Sequence, residues 1–254
     1  MRIVLITQDE PFYLAKNISY LYKLISKDIE IAGVVLYEPS PYGKKESFLR
    51  KSFKTLNIFG FKFFLFYSIQ YILSKFIIDF NVSKTIKKIG LRIIKLNKSI
   101  NHVESLNIIR SLEPDLLVSI LGSEIFKTDL LNISSNGCIN LHTSLLPKYR
   151  GLMPSFWVLK NNEDYSGVSV FFVDEGIDSG PIIEQKKIYL NNLTQRDLIK
   201  ISKRVGMELI AKSIYKIKDN KVSLISNPDN KKSYYGFPSR IDVKEFLKAG
   251  KKFF

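Results

Sequence analysis

The chain reads as an α/β protein: a mostly parallel, twisted sheet with helices on both faces, Rossmann-like in element order. Three observations predict this. Apolar runs at 2–7 and 29–37 flank a segment, 11–27, whose Leu14, Ile18, Leu21, Leu24 and Ile25 recur at helical spacing. Strand, helix and strand in so short a span make a βαβ unit, with parallel strands and a right-handed crossover. Further on, Asp115-Leu116-Leu117-Val118-Ser119-Ile120-Leu121 is apolar on both alternating sides, as in a parallel strand buried on both faces.

The remaining elements follow in order. The turn after the first strand, Thr7-Gln8-Asp9-Glu10-Pro11, lacks the G-x-G-x-x-G cradle, which disfavours a dinucleotide cofactor. Residues 41–100 interrupt the alternation as a basic, aromatic-rich helical insert. Residues 102–112 read as a helix and 122–132 as a loop with a short helix. Gly137 to His142 is a short buried strand. Pro154 opens a helix holding Phe156, Trp157 and Leu159, since proline is favoured in a first turn. Residues 166–174 alternate as a strand, and 181–189 return as another. Thr194-Gln195-Arg196-Asp197 is a capping box with Asp in place of Glu, opening a helix that runs to about Lys218. From Val222 to Phe254, short strands and a small helix are expected. They form a C-terminal appendage (221–254) on a main domain (1–220), too short to fold alone.

Composition narrows the chemistry. At 254 residues and 45% hydrophobic, the chain can bury a sizeable core. Its one cysteine, Cys138, lies in an apolar strand, which rules out an internal disulfide and suits a reducing compartment. Two histidines and one cysteine argue against a His/Cys zinc site, and no metal is expected. The apolar start, Met1 to Thr7, is too short for a signal peptide, so a cytoplasmic location is the expectation. The net charge of +15 is concentrated in residues 41–100, where thirteen Lys and Arg face only Glu46 and Asp79.

Candidate catalytic residues emerge from one strand. Alternation puts Asn140 and His142 on the same face, with Ile139 and Leu141 on the other. Two polar groups side by side in an apolar strand are costly unless something uses them. Pro147 and Gly151 then mark a loop of fixed backbone path. The acidic turn Asp174-Glu175-Gly176-Ile177-Asp178-Ser179-Gly180 can return a carboxylate to the histidine, so Asn140, His142 and Asp178 form the expected site.

Asn140-Leu141-His142 running into Ser144-Leu145-Leu146-Pro147 and Arg150-Gly151, then Gly176 to Pro181, resembles the formyltetrahydrofolate-dependent formyltransferase family. Methionyl-tRNA formyltransferases and glycinamide ribonucleotide transformylases belong to it. The detailed match runs from about Pro114 to Leu190. The resemblance implies transfer of a formyl group from N10-formyltetrahydrofolate, a co-substrate, to a primary amine. As the amine attacks, the formyl oxygen gains negative charge, so a fixed donor and a route for the amine proton are needed. By this resemblance Asn140 and His142 stabilise the oxyanion, while Asp178 orients and charges His142 and helps remove the proton. Family members hold the pterin in loops that match Leu121, Gly122, Ser123, Glu124 and Ile125, and Val173, Asp174, Glu175 and Gly176. Those loops are expected at the carboxyl ends of strands. Thr143, Ser144, Lys148 and Arg150 are candidate substrate-binding residues, Arg150 being equally readable as a loop anchor. Ser144 beside His142 also suggests a Ser/His/Asp hydrolase, but no G-x-S-x-G elbow surrounds it. Relatives with this Ser-Leu-Leu-Pro loop tend to have its X–Pro bond cis, so a cis Leu146-Pro147 bond is expected.

The tail Tyr234-Tyr235-Gly236-Phe237-Pro238-Ser239-Arg240 resembles that of bacterial sugar N-formyltransferases, which modify amino groups on nucleotide-linked sugars. It implies a small-molecule amino-sugar acceptor and a role in surface polysaccharide biosynthesis. The chain ends too early for the tRNA-gripping domain of methionyl-tRNA formyltransferases and is longer than the compact purine-pathway enzyme. Both remain alternatives, as does a formyltetrahydrofolate hydrolase with water as acceptor. From another class, the basic segment could mark a nucleic-acid-binding protein with a vestigial pocket, which predicts salt-sensitive affinity for RNA or DNA and no folate binding.

Within the insert, the longest charge-free run, Phe63 to Ser74, is too short to cross a bilayer, which takes about 20 apolar residues. Three fates are open to it: packing on the protein's own sheet, a homodimer interface, or peripheral contact with anionic membrane at the inner face. The flanking lysines are what anionic lipid attracts.

Overall fold

Strand β1 (Arg2–Gln8) divides its side chains between two cores. Ile3 and Leu5 enter one cluster, Val4 and Ile6 the other, as the strand's alternation requires. The computed structural model from which this is seen describes residues 1–25, 27–37, 47–122 and 124–254, the side chain of Ile78 excepted. Ser123 and the first residues of the basic segment, 41–46, lie outside the described residues.

Helix α1 (Leu14–Leu24) covers the first cluster with Leu14, Ile18 and Leu21. It begins later than its periodicity suggests, because the Glu10 carboxylate accepts the N–H groups of Phe12 and Tyr13, each at 3.0 Å. β2 (Glu30–Tyr37) pairs parallel with β1. Next come α2 (Phe48–Phe59), α3 (Phe61–Phe76), α4 (Val82–Lys88) and β3 (Ile93–Ile94). β3 pairs with Val34 and Val35 of β2, so the basic segment is not wholly an insert. Its far end rejoins the sheet, and two isoleucines between Arg92 and Lys95 are too short a run to show a strand period.

α5 (Val103–Arg110), β4 (Leu116–Ile120), α6 (Thr128–Leu131) and β5 (Cys138–His142) follow. Leu106, Ile109 and Leu130 roof the second cluster, so helices cover both sheet faces. The chain continues through β6 (Arg150–Gly151), α7 (Pro154–Lys160), β7 (Tyr165–Phe172) and β8 (Ile182–Tyr189). It ends in α8 (Gln195–Lys218), β9 (Tyr234–Tyr235) and α9 (Arg240–Lys248). Among the described residues the main sheet has the order β3-β2-β1-β4-β5-β7-β8, parallel through β5 and antiparallel beyond it. β6 and β9 form a separate ladder, Arg150 opposite Tyr234 and Gly151 opposite Tyr235.

The capping box of α8 is formed: Thr194 Oγ1 accepts the Asp197 N–H at 3.2 Å, and Asp197 accepts the Thr194 N–H at 3.3 Å. Leu198, Met207, Ile210 and Ile214 of α8 lie in the first cluster, and so do Val243, Phe246 and Phe253 of the tail. The α2–α3 hairpin attaches to the same core through Phe59 and Phe63, whose rings lie 5.8 and 4.9 Å from that of Phe253. One side of the hairpin therefore has the first of the three expected fates, packing on the protein itself. No helix among the described residues is long and apolar enough to cross a membrane.

Candidate active site

β5 lies at the seam of the sheet, parallel to β4 on one side and antiparallel to β7 on the other. Its alternation sends Ile139 and Leu141 into the first cluster, while Cys138 enters the second, on the face shared with Asn140 and His142. Burial pushes the Cys138 thiol well above its ordinary range, so it stays protonated and is no nucleophile.

His142 is buried and held at both ring nitrogens. Nε2 lies 2.7 Å from the Tyr149 carbonyl oxygen. A carbonyl only accepts, so Nε2 carries a proton and donates it. Nδ1 faces Asp178, 3.5 Å from Oδ2. That oxygen also accepts the Gly151 N–H at 2.8 Å. Gly151 has φ +94°, and a Cβ there would stand 2.4 Å from the Tyr235 carbonyl oxygen, so only glycine presents its N–H in this place. Asn227 braces the acidic turn, its Nδ2 donating to the carbonyls of Asp178 (3.0 Å) and Gly180 (2.8 Å). Asp174, the other aspartate of the turn, accepts from Gly176 N–H and Ser179 Oγ within the turn itself.

The Asn140 carboxamide oxygen is buried with no hydrogen-bond partner among the described residues. The two ends of a carboxamide exchange by a half-turn, so this is an unsatisfied polar position rather than a fixed atom. It is one of ten buried side-chain polar atoms without a partner among the described residues, and the one on the strand face shared with His142.

The loop after β5 is closed on itself. Leu146-Pro147 is cis, as expected. Ser144 Oγ donates to Lys148 O at 2.9 Å, Ser169 Oγ donates to Ser144 O at 2.7 Å, and Gln185 Nε2 donates to Leu146 O at 2.9 Å. Ser144, fully buried with its proton spent on Lys148, is placed as a loop tie and not as a nucleophile. Arg150 is buried as well, donating to Asp229 Oδ1 (2.7 Å), Asn227 O (3.1 Å) and Asn227 Oδ1 (2.9 Å), which is the anchor role of its two readings. Thr143 is half-buried directly after His142. Lys148 is exposed and lines, with Leu145, Pro147, Tyr165 and Lys231, a cleft of about 230 Å³ whose walls include none of Asn140, His142 and Asp178.

Of the two loops expected to hold a pterin, the first follows β4, and Leu121 takes φ +61° there. Gly122 and Ile125 are exposed, while Glu124 accepts from Ser99 Oγ and the Ile100 N–H and so fastens the loop. The second loop corrects the expectation that both sit at carboxyl ends of parallel strands. β7 runs antiparallel, so Val173 emerges at the opposite end, its N–H donating to Cys138 O at 2.7 Å. Asp174, Glu175 and Gly176 are exposed along the return toward His142, and Thr128 Oγ1 hydrogen-bonds Glu175. Positive φ at Leu121, Tyr149, Met153 and Asp178 places strained backbone in the segments that frame the site. Among the described residues, no three of His, Cys, Asp or Glu gather as a metal-ligand set.

Sequence reasoning missed the Tyr149 carbonyl, the Gly151 N–H, Ser169 and Asn227. The first two are backbone groups and carry no residue signature. Asn227-Pro228 signals a turn but nothing that ties it to His142.

Comparison with known proteins places these residues in context. Residues 81–214 match the sequence profile described as formyl transferase. The methionyl-tRNA formyltransferase of Thermodesulfovibrio yellowstonii is 42% identical over 112 residues, which is 43% of this chain and 36% of that protein. This chain therefore matches well under two thirds of that relative's length. In fold it is similar to the sugar 3N-formyltransferase WlaRD, crystallised in the presence of dTDP and 5-N-formyl-THF, at TM-score 0.56 and 19% identity over 92% of this chain and 69% of that one. It is also similar to the phosphoribosylglycinamide formyltransferase of Bacillus halodurans, at TM-score 0.60 and 18% identity over 85% of this chain and 95% of that one.

Proposed function

This chain belongs to the formyl transferase family, and on that premise we propose that it transfers a formyl group from N10-formyltetrahydrofolate to the primary amine of a nucleotide-linked amino sugar. The observation that carries the reading is His142, clamped between the Tyr149 carbonyl and Asp178 on the strand face that also bears the unsatisfied Asn140 carboxamide. The residues present fit the co-substrate in kind: the Asn140 carboxamide oxygen is buried without a partner, and Gly122 and Gly176 are exposed in the two loops. Leu121, Gly122, Glu124 and Ile125, with Val173, Asp174, Glu175 and Gly176, are the residues that would hold its pterin.

When bound, N10-formyltetrahydrofolate supplies an activated formyl carbon for attack by the amine. Asn140 offers its amide N–H where negative charge develops on the formyl oxygen. His142 donates its Nε2 proton to Tyr149 O, which turns Nδ1 toward Asp178. The Asp178 carboxylate holds the His142 ring on the strand face that bears Asn140, beside the developing negative charge. Asp178 also takes up the amine proton, through Oδ1 or a water, since Oδ2 is engaged by Gly151.

An amino-sugar acceptor is supported by the tail motif, whose Tyr234 and Tyr235 form β9 directly against Arg150 and Gly151 of the catalytic loop. The identity to a methionyl-tRNA formyltransferase favours a second reading, in which the amine belongs to an aminoacyl-tRNA. A panel of nucleotide-linked amino sugars, glycinamide ribonucleotide and methionyl-tRNA, each incubated with N10-formyltetrahydrofolate, separates them by which acceptor gains the mass of a formyl group. Asn140→Ala, His142→Ala and Asp178→Ala should each lower turnover by about 10²-fold or more while the circular dichroism stays native. A folded His142→Ala variant that turns over at the wild-type rate sinks the mechanism.

A further inference from the structure

The two groups that clamp His142 share an uncommon backbone. Tyr149, whose carbonyl accepts from Nε2, has φ +60°, and Asp178, which faces Nδ1, has φ +50°. Both lie in the left-handed region, which is costly for a residue with a side chain and persists only where the surroundings impose it. Tyr149 stands just before β6, and Asp178 in the turn between β7 and β8.

What holds them comes from one stretch of the tail. Ser233 takes two successive N–H groups of the loop after β5: its Oγ accepts from Tyr149 at 2.9 Å, and its carbonyl oxygen accepts from Arg150 at 2.9 Å. The second bond involves the very peptide group that serves the histidine. A trans peptide points its N–H and C=O in opposite directions. The Tyr149–Arg150 unit is therefore held by Ser233 on one side and presents its oxygen to His142 on the other. Six residues before Ser233, Asn227 Nδ2 donates to the carbonyls of Asp178 at 3.0 Å and Gly180 at 2.8 Å. Arg150 Nη2 in turn donates to Asn227 Oδ1 at 2.9 Å. Two carbonyl acceptors on one end and a guanidinium donor on the other leave the Asn227 carboxamide a single orientation. We propose that Asn227 and Ser233 are positioning residues for His142, setting through Asp178 and Tyr149 the carboxylate and the carbonyl between which the ring is clamped. The proposal rests on the reading of His142 as part of the catalytic site. It extends that site into the tail, beyond residue 214, where the match to the formyl transferase profile ends.

The chain has two histidines, His102 and His142, so the ring itself can be read. Imidazole nitrogen resonances of the full 15N-labelled chain are compared for wild type, Asn227→Ala, Ser233→Ala and Ser233→Thr. The His142→Ala spectrum assigns the signals, and His102, exposed at the start of α5, is the internal reference. Each alanine variant is expected to move the His142 signals and leave those of His102. Each should also lower kcat for formyl transfer by about tenfold or more, beyond any rise in KM. Ser233→Thr keeps the hydroxyl and should restore both readouts. Ser233 contributes one hydroxyl at a half-buried position, so Ser233→Ala reads the contact even where Asn227→Ala does not fold. Moved His142 signals support the positioning role whichever acceptor the protein uses, so a failure of the formyl-transfer reading shows separately, as a wild-type protein that formylates nothing. His142 signals that stay in place in folded alanine variants overturn the proposal. So does a lowered thermal midpoint with kcat unchanged, which would make the two residues structural ties alone.

Discussion

His142 makes two contacts that differ in kind. The bond from Nε2 to the Tyr149 carbonyl fixes the ring's plane, while Nδ1 is turned to face the Asp178 carboxylate. That division depends on Asp178 being carried back across the strand face by the turn from Val173 to Gly180. Gly180 is the tightest point of that turn, since a Cβ there would fall 1.8 Å from the Phe172 carbonyl oxygen and 2.9 Å from its carbon. Backbone atoms cannot swing aside as a side chain does. Gly180→Ala should therefore cost roughly 1–3 kcal/mol and displace Asp178, giving a lower urea midpoint together with a fall in turnover larger than the stability loss explains. Wild-type midpoint and turnover would show that the turn tolerates the methyl. At this scale the parity of Asn140 and His142 was legible, because strand alternation is written in the residues themselves. Their supports were not, because a carbonyl at 149 or an N–H at 151 looks the same in any sequence.

Between elements, β8 and α8 are joined by Glu184, whose carboxylate lies 3.1 Å from Lys212 Nζ and 2.5 Å from Lys216 Nζ. Burial pushes this carboxyl upward, but the hydrogen bonds from Lys216 and Lys212 outweigh it and hold it below the ordinary carboxylate range. A carboxyl lowered on folding stabilises the native state above its unfolded value, here 4.5, and loses that contribution as pH falls through the lower folded value. Glu184→Gln should thus be less stable than wild type at neutral pH, with the gap closing in acid below about pH 4.5. Urea midpoints from pH 7 to 3 read this directly, and a gap that stays constant across the range counts against the pairing. Long elements with strong patterns were legible at this scale: α8, its capping box and the Pro154 start of α7 stand where the sequence put them. β3 was not, being two residues long, and the second loop was assigned to the wrong sheet end because strand direction is set by pairing partners rather than by local pattern.

For the molecule as a whole, Phe253 is where the added parts are tied to the core. Its ring lies 4.8 Å from Phe246 of α9, 6.4 Å from Phe156 of α7, and 5.8 and 4.9 Å from Phe59 and Phe63 of the hairpin. The sequence showed an aromatic-rich insert and a separate tail. It could not show that the two meet, since they lie about 190 residues apart and share no period. Phe253 is 6% exposed, so Phe253→Ala leaves a cavity bounded by four rings on four different elements. Such a truncation should cost about 3–5 kcal/mol. The hairpin has one packed face and one exposed face, so loss of its anchor should loosen α2 and α3 before the sheet. Hydrogen exchange is then expected to quicken in 48–76 while β1, β4 and β5 keep their protection. Exchange that rises equally in hairpin and sheet would mean the hairpin is held by the rest of its contacts. In that case Phe253 serves the main core alone.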